Sequence, residues 1–407
     1  MPVSIHTADW IIPITASPIK NGAVAINEGR ILHVGTYKDV CERLTGMVFH
    51  HGKGAIMPAL VNAHIHLELS SLKNYLDDSE GFIDWLRNLV ERRSIPSPSE
   101  VKDAMILAID RLKQTGTILI GDITNTGLSI PILTSKPIKA MVFLEVVGLK
   151  MEKAKVHWNQ LLKLLTQWSK RINLPITLAA HSPYSVSKEI LRQIRDWSES
   201  HDQIISIHLA ESEEEVIFLM TGGGPLKDLL VDIEAFDPDF NPPGLSPVAY
   251  LAKLGFLGDK TLCVHLVHIN HEDIYILKKK GVKVCICPLS NHRLKVGLPP
   301  VDKLLKADIP IALGTDSLAS NEDINLFREM AYLKAEFSHI PGHEILKMGS
   351  LYGATALGME STLGSIEPGK EAHLIFIPLE ATFLSTIELE EAVIESGLKQ
   401  KVKWIEK

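Results

Sequence analysis

This 407-residue chain lacks long apolar runs and any surplus of positive charge. No stretch reaches the ~18 consecutive apolar residues of a membrane-spanning helix, so no membrane partner is expected. The 42 Lys and Arg against 49 Asp and Glu leave a net charge of −7, which argues against a nucleic-acid footprint. Cysteine is scarce: Cys41, Cys263, Cys285 and Cys287 form no CxxC pair, and three of them sit inside apolar strand-like runs. They read as buried thiols in a reducing compartment. The start, MPVSIHTADW, has neither a basic segment nor an apolar one of the kind that opens a secretory leader. A cytoplasmic location is the resulting expectation.

What is present is an ordinary globular composition, 45% hydrophobic and 22% charged, on a chain too long for one small core. Residues 1–56 alternate short apolar runs with turns, and Asn27-Glu28-Gly29 is a hairpin signal. The C-terminal stretch GSIEPGKEAHLIFIPL (364–379) has the same texture. Both ends are expected to pair in one small β-sandwich, 1–56 plus 364–407. The middle, 57–363, carries strand candidates at 57–66, 116–124, 139–147, 176–182, 203–211, 261–267, 283–289 and 310–317. Several are apolar without alternation, as in parallel strands covered on both faces. Helical patterns lie between them, at 100–115, 152–171, 187–199, 271–280 and 324–337. This count of strand–helix units predicts an α/β fold with a (β/α)₈ TIM barrel. Two long insertions, 67–99 and 212–260, are expected over the barrel mouth, the first with a short helix around Gly81–Leu86.

The polar punctuation at the strand ends carries the chemistry. His64 and His66 are two apart on one strand, so their side chains point the same way. His181, His208 with Glu211, His265 and Asp316 stand at the ends of later strands. In a barrel these ends share one rim, and burying so many ionisable groups without a metal or a partner is costly. His64, His66, His208 and Asp316 make a three-nitrogen, one-carboxylate set for one divalent ion, Zn²⁺ or Fe²⁺. Such an ion leaves a position for water and lowers its pKa from about 15.7 toward ~7. Glu211 then reads as a proton shuttle, with a simple helix N-terminal carboxylate as the competing reading, because Ser212-Glu213-Glu214-Glu215 begins a helix. His265 reads as the group that holds the nucleophile in line, and His268 as structural.

The runs PALVNAHIHLE, HSPYSVS, HLAES, TLCVHLVH, CPLSNHRL, LGTDS and GSIEPGKEAHL cover nearly the whole chain in one order. Together they resemble the amidohydrolase superfamily, in its branch of purine-type and S-adenosylhomocysteine deaminases and chlorohydrolases. The resemblance implies a metal-dependent hydrolase of cyclic amidines. It places Glu211, His265 and Asp316 in catalysis and His181 near a small-molecule substrate, and a homodimer is common among members. His373 stands where an Asp is usual, in the small module. A binuclear centre would need a bridging Lys or Glu; Glu145 lies inside the third strand, but nothing around it in sequence looks like a bridge. One metal ion is therefore expected.

HIHLELS followed by GFIDWLRNLVERR is similar to the aminodeoxyfutalosine deaminases of menaquinone biosynthesis. That likeness puts Glu68 and Trp85 against a nucleoside, with a surface carboxylate and helix packing as the plainer alternatives. Arg87, Arg92 and Arg93 read as a solvated helix face. Deamination of adenosine, methylthioadenosine or S-adenosylhomocysteine, hydrolysis of guanine or an s-triazine, and a catalytically silent barrel are the other readings.

Overall fold

The computed structural model describes residues 2–73, 75–76, 79–380, 385–399 and 402–405. Parts of the expected C-terminal module, 381–384, 400–401 and 406–407, lie outside the described residues.

Eight strands follow one another around a nearly closed parallel barrel. They are β1 (Leu60–Ile65), β2 (Thr117–Thr124), β3 (Lys139–Val146) and β4 (Ile176–Ala180), then β5 (Ile205–Leu209), β6 (Thr261–His265), β7 (Lys283–Ile286) and β8 (Ile311–Leu313). Nearly every residue in them is buried, which is why their sequences do not alternate. The ring comes together at its C-terminal rim, where Ile65 lies opposite Asp316. There the His64 carbonyl accepts from the N–H groups of Thr315 and Asp316, and the Asp316 carbonyl accepts from His66 N–H. Two residues expected to bind one ion are thus tied together by their own backbones.

The connecting helices start and stop where their sequences provide caps. Ser187 accepts from the Ile190 N–H to open Lys188–His201. Asn270 and Asp273 form a capping box on His271–Lys280, and Gly281, with φ 66°, closes it. The short helix expected at Gly81 is longer, Phe82–Arg92. Its Phe82, Trp85 and Leu86 pack with Leu226, Leu229 and Leu230 of the helix Pro225–Asp232 in one apolar cluster. Among the described residues no helix is long and apolar enough to cross a membrane.

Both ends of the chain contribute to a second, mixed sheet of seven strands. Ile19–Asn27 pairs antiparallel with Ser4–Ile11 and with Arg30–Thr36, turning at Glu28 and Gly29, both at positive φ. Gly54–Pro58 pairs with Leu374–Pro378, which pairs with Lys403–Trp404. The single strand expected over 57–66 is therefore two. The break falls at Ala59, whose N–H goes to the His373 carbonyl, whereas Leu60 N–H goes to the Gly116 carbonyl.

Contacts divide the chain into two compact units. One comprises Met1–Ala63, Asp110–Leu119 and Asn325–Lys407, and the other His64–Ile109 with Ile120–Ile324. The first unit takes in more than the termini because the helix Thr386–Lys399 packs on Leu326–Glu336 and Gly342–Met348. At Gly397 the fit is so close that a Cβ would stand 2.7 Å from the Phe327 ring.

Candidate active site

At the rim of the second unit the side chains of His64, His66, His208 and Asp316 converge. His66 Nε2 and His208 Nε2 are 3.2 Å apart. Asp316 Oδ1 is 3.7 Å from His64 Nε2 and 3.5 Å from His66 Nε2. All four residues are buried. Burial lowers the pKa of His64 and takes that of His66 down to about 3, so both rings are neutral and present lone pairs. For Asp316, burial works against ionisation, but the neighbouring imidazoles outweigh it and hold the carboxyl well below its ordinary range. Neutral imidazole nitrogens crowded around an ionised carboxylate fit a divalent ion, and among the described residues no Lys or Arg pairs with Asp316.

The neighbours of these side chains decide which atoms face the centre. His208 Nδ1 donates to the His181 carbonyl at 2.7 Å, which leaves Nε2 facing the cluster as the atom that could hold an ion. Asp316 Oδ2 accepts from Ser290 Oγ and Ser320 Oγ, both at 2.6 Å, so Oδ1 is the oxygen left for the ion. Asn291 donates to His265 Nδ1 at 3.0 Å. The proton of His265 therefore sits on Nε2, 3.5 Å from Glu211 Oε1. Ser290 and Asn291 lie in the run CPLSNHRL, but spacing alone gives no hint of whom they touch.

Strand register does not by itself bring His265 into this cluster. On β5 and β6, His208 is opposite Val264, and His265 is opposite Leu209. Alternation would turn His265 away from His208. His265 has φ 76°, in the left-handed region that non-glycine residues avoid, and its ring stacks on His208 with centroids 5.4 Å apart. Asp316 (φ 55°) and Ala210 (φ 52°), the residue before Glu211, are left-handed as well. Left-handed backbone thus recurs at the ends of three strands that carry the candidate residues.

Glu211 is buried, and burial pushes its carboxyl well above the ordinary range, with Asp316 and Glu215 adding to the push. Its backbone is held by Glu215, whose carboxylate accepts from the N–H groups of Ala210 and Glu211 at 3.1 and 2.9 Å. Glu215 is the N3 residue of the helix Glu213–Thr221, whose cap is Ser212. The helix-terminus reading thus belongs to Glu215, and the Glu211 side chain is left to the cavity.

His181 is fixed through Nδ1, 2.6 Å from Ser185 Oγ, and burial lowers its pKa to about 4. Beside it lies Glu145, which sequence reasoning set aside. Its Oε2 accepts from the Asn125 amide at 2.8 Å, and its Oε1 is 3.4 Å from His208 Nδ1 with no hydrogen bond. Glu145, His181 and His208 could together reach a cation. A second ion there would compete with the His181 carbonyl for His208 Nδ1, so the geometry favours one ion.

The two residues expected at the nucleoside are placed differently from each other. Trp85 lines the cavity and also packs; its indole N–H goes to the Ala319 carbonyl at 2.9 Å, so it offers a ligand only its ring. Glu68 does not line the cavity. Its carboxylate accepts from Thr124 Oγ1, Thr126 Oγ1 (2.6 Å), and the N–H groups of Asn125 (3.2 Å) and Leu128 (2.9 Å). The direct contact expected for Glu68 is replaced by a hold on the loop that carries Asn125. Arg87, Arg92 and Arg93 are each at least partly exposed, as a solvated helix face requires, but their partners differ. Arg87 pairs with Asp232 at 2.9 Å, Arg92 donates to the Tyr75 carbonyl, and Arg93 lines the cavity. The His268 side chain is turned elsewhere, its Nε2 donating to the Val296 carbonyl at 2.8 Å, while its backbone N–H goes to the Ala210 carbonyl at 2.8 Å. Cys41, Cys263, Cys285 and Cys287 form no disulfide.

The chain is 30% identical to the 5-methylthioadenosine/S-adenosylhomocysteine deaminase of Caldanaerobacter subterraneus subsp. tengcongensis over 81% of this chain and 74% of that one. It is 25% identical to a zinc-bound adenosine deaminase from Xanthomonas campestris, with a TM-score of 0.80 over 96% of this chain and 89% of that one. The fold is also that of the Helicobacter pylori aminofutalosine deaminase bound to methylthio-coformycin, with a TM-score of 0.86 at 22% identity over 99% and 100% of the two chains. A profile of the amidohydrolase family matches residues 55–400, and the chain belongs to that family.

Proposed function

We propose that this protein is a metal-dependent aminohydrolase that replaces the 6-amino group of an adenine nucleoside with oxygen, its substrate being 6-aminodeoxyfutalosine. The observation that carries the reading is the meeting of three imidazoles and the Asp316 carboxylate beside a carboxyl, Glu211, that burial keeps protonatable. A silent scaffold has no folding reason to bury Glu211 without a cationic partner. Relatives named for adenosine, methylthioadenosine and S-adenosylhomocysteine support the adenine nucleoside. The runs HIHLELS and GFIDWLRNLVERR support the finer choice.

The reaction consumes water and releases ammonia. When bound by His64, His66, His208 and Asp316, a single Zn²⁺ or Fe²⁺ supplies Lewis acidity to the water. Glu211 takes one proton of the attacking water and gives it to N1 of the purine, then takes the second from the new C6 hydroxyl and gives it to the amino group, which leaves as ammonia. His265, its proton fixed on Nε2 by Asn291, donates to the water oxygen and holds it over C6. His181, held through Nδ1 by Ser185, presents Nε2 to the nucleoside. Trp85, Leu86 and Leu89 give the base an apolar wall and keep bulk water out.

The test is a panel of adenosine, methylthioadenosine, S-adenosylhomocysteine, 6-aminodeoxyfutalosine, guanine and an s-triazine with metal-replete protein. Ammonia release and loss of the adenine absorbance band are the readouts. The highest kcat/KM is expected with 6-aminodeoxyfutalosine. Faster turnover of guanine or an s-triazine would overturn the nucleoside assignment, and silence toward every compound would leave a non-catalytic barrel.

A further inference from the structure

Glu145 is buried inside β3 and lines the catalytic chamber, yet no step of the proposed reaction uses it. One oxygen, Oε2, accepts from the Asn125 amide at 2.8 Å. The other, Oε1, has no hydrogen-bond partner and stands 3.4 Å from His208 Nδ1. Among the described residues no Lys or Arg pairs with it. A buried carboxylate without a cation is costly, and an apolar side chain would fill the same place in a strand without that cost. A divalent ion held by His64, His66, His208 and Asp316 gives Glu145 the cationic neighbour that the protein does not supply.

Glu145 faces the outer edge of a metal-facing ring. His208 Nδ1 donates to the His181 carbonyl at 2.7 Å, so its N–H lies between a carbonyl and a carboxylate while Nε2 faces the cluster. Acceptors at the outer nitrogen of an imidazole fix its tautomer and raise the basicity of the inner nitrogen. A carboxylate acts more strongly than a carbonyl because it brings a full negative charge.

The hold on Glu145 begins at the other end of the cluster. Glu68 follows His66 by two residues, and its carboxylate gathers the loop after β2. It accepts from Thr124 Oγ1, from Thr126 Oγ1 at 2.6 Å, and from the N–H groups of Asn125 and Leu128 at 3.2 and 2.9 Å. Thr124 Oγ1 accepts in turn from Gly127 N–H at 2.8 Å, which closes the turn. The Asn125 amide is thereby aimed at β3, where it donates to the Glu145 carboxylate and, at 3.3 Å, to the Glu145 carbonyl. A polar chain, Glu68–Asn125–Glu145, thus runs from the strand of one imidazole, His66, to the ring of another, His208. It crosses β2 and β3, which contribute none of the four metal-facing residues.

We propose that Glu145 is a positioning residue for the metal centre, its charge set against His208 Nδ1 by Asn125 and Glu68, so that metal affinity depends on the loop at 124–128. The inference rests on the metal-dependent reading of the site and adds to it the groups that hold a ligand ring from behind.

The test strips wild-type protein and variants of metal, titrates each with Zn²⁺ against a competing chelator, and compares the visible absorption of the Co²⁺-loaded forms. Glu145→Gln keeps the shape and loses the charge. Its Zn²⁺ dissociation constant is expected to rise about 10- to 100-fold, with the Co²⁺ bands shifted. Asn125→Ala is expected to raise the constant about tenfold, and the double variant no further than Glu145→Gln alone, because Asn125 acts through Glu145. Glu145→Asp keeps the charge and is expected to recover part of the affinity. Asn125 is on a partly exposed loop, so its variant reports even where a Glu145 variant fails to fold. Wild-type affinity in Glu145→Gln or in Asn125→Ala, losses that multiply in the double variant, or equal losses with Asp and with Gln at 145 and unshifted Co²⁺ bands each overturn the proposal while leaving the metal site in place. Wild-type protein that takes up neither ion overturns the metal site itself and the proposal with it.

Discussion

Asn291 donates its amide N–H to Nδ1 of His265 at 3.0 Å, and this one bond decides which face of the imidazole can act as a donor in the site. With Nδ1 accepting, the proton is on Nε2, toward Glu211. The replacement Asn291→Leu removes the donor and frees the other tautomer. A fall in kcat of about 10- to 100-fold with KM little changed is expected, the range typical of outer-shell partners. Steady-state kinetics with metal content measured in parallel checks it, and unchanged kcat would show that the tautomer does not matter.

Glu211→Gln keeps shape and hydrogen-bonding capacity but cannot carry a proton. Bound metal is expected to stay at the wild-type level while turnover drops at least ~100-fold. Near-normal ammonia release from that variant would remove Glu211 from the mechanism.

The hydroxyls of Ser290 and Ser320 hold one oxygen of Asp316 and leave the other for the ion. Asp316→Ala is expected to abolish activity and weaken metal binding, and the double variant Ser290→Ala, Ser320→Ala to weaken binding by about 10- to 100-fold. Chelation should silence the wild-type protein, and re-addition of Zn²⁺ or Fe²⁺ should restore it. Metal content and rate that withstand Asp316→Ala would refute the ligand role.

Gly314 sits directly behind His64. A Cβ there would lie 2.8 Å from the His64 Cβ and carbonyl oxygen and 2.9 Å from Cys285 Sγ, and none of these atoms is a flexible end. Gly314→Ala is expected to cost about 1–3 kcal/mol by overpacking and to lower metal affinity by displacing a ligand. Thermal unfolding with and without added metal measures both, and an unaltered Tm in each condition would contradict the close fit.

Asp122 is fully buried on β2, and its Oδ1 accepts from Leu67 N–H at 3.1 Å, next to His66. Burial raises its pKa to about 8 from 3.8, with the Glu68 charge adding to it. Between these two values the unfolded chain is ionised at this position and the folded one is not, so stability is lost as pH rises through the window. Asp122→Asn keeps the acceptor and cannot ionise. Its gain in Tm over wild type is expected to grow from pH 5 to pH 8 and then level off. A difference that does not vary with pH would sink the assignment.

The sequence by itself determined the barrel and named His64, His66, His208 and Asp316, the side chains that the structure brings together at its rim. Doubly buried parallel strands require unbroken apolar runs, and the histidines two apart at the end of β1 face one side because strand side chains alternate. Those properties are local, so they can be read along the chain. Tertiary structure decided the rest. His66 and His208 are 142 positions apart, and only closure of the ring sets their nitrogens 3.2 Å from each other. His265 joins them through a left-handed backbone that register alone would not produce. Glu145, Ser290 and Asn291 meet groups from other strands, Glu68 turns to the loop at 124–128, and Arg93 parts from Arg87 and Arg92 to face the cavity. Periodicity says which face of its own element a side chain occupies; which atom from a distant element meets it there depends on how the strands close and where their ends bend.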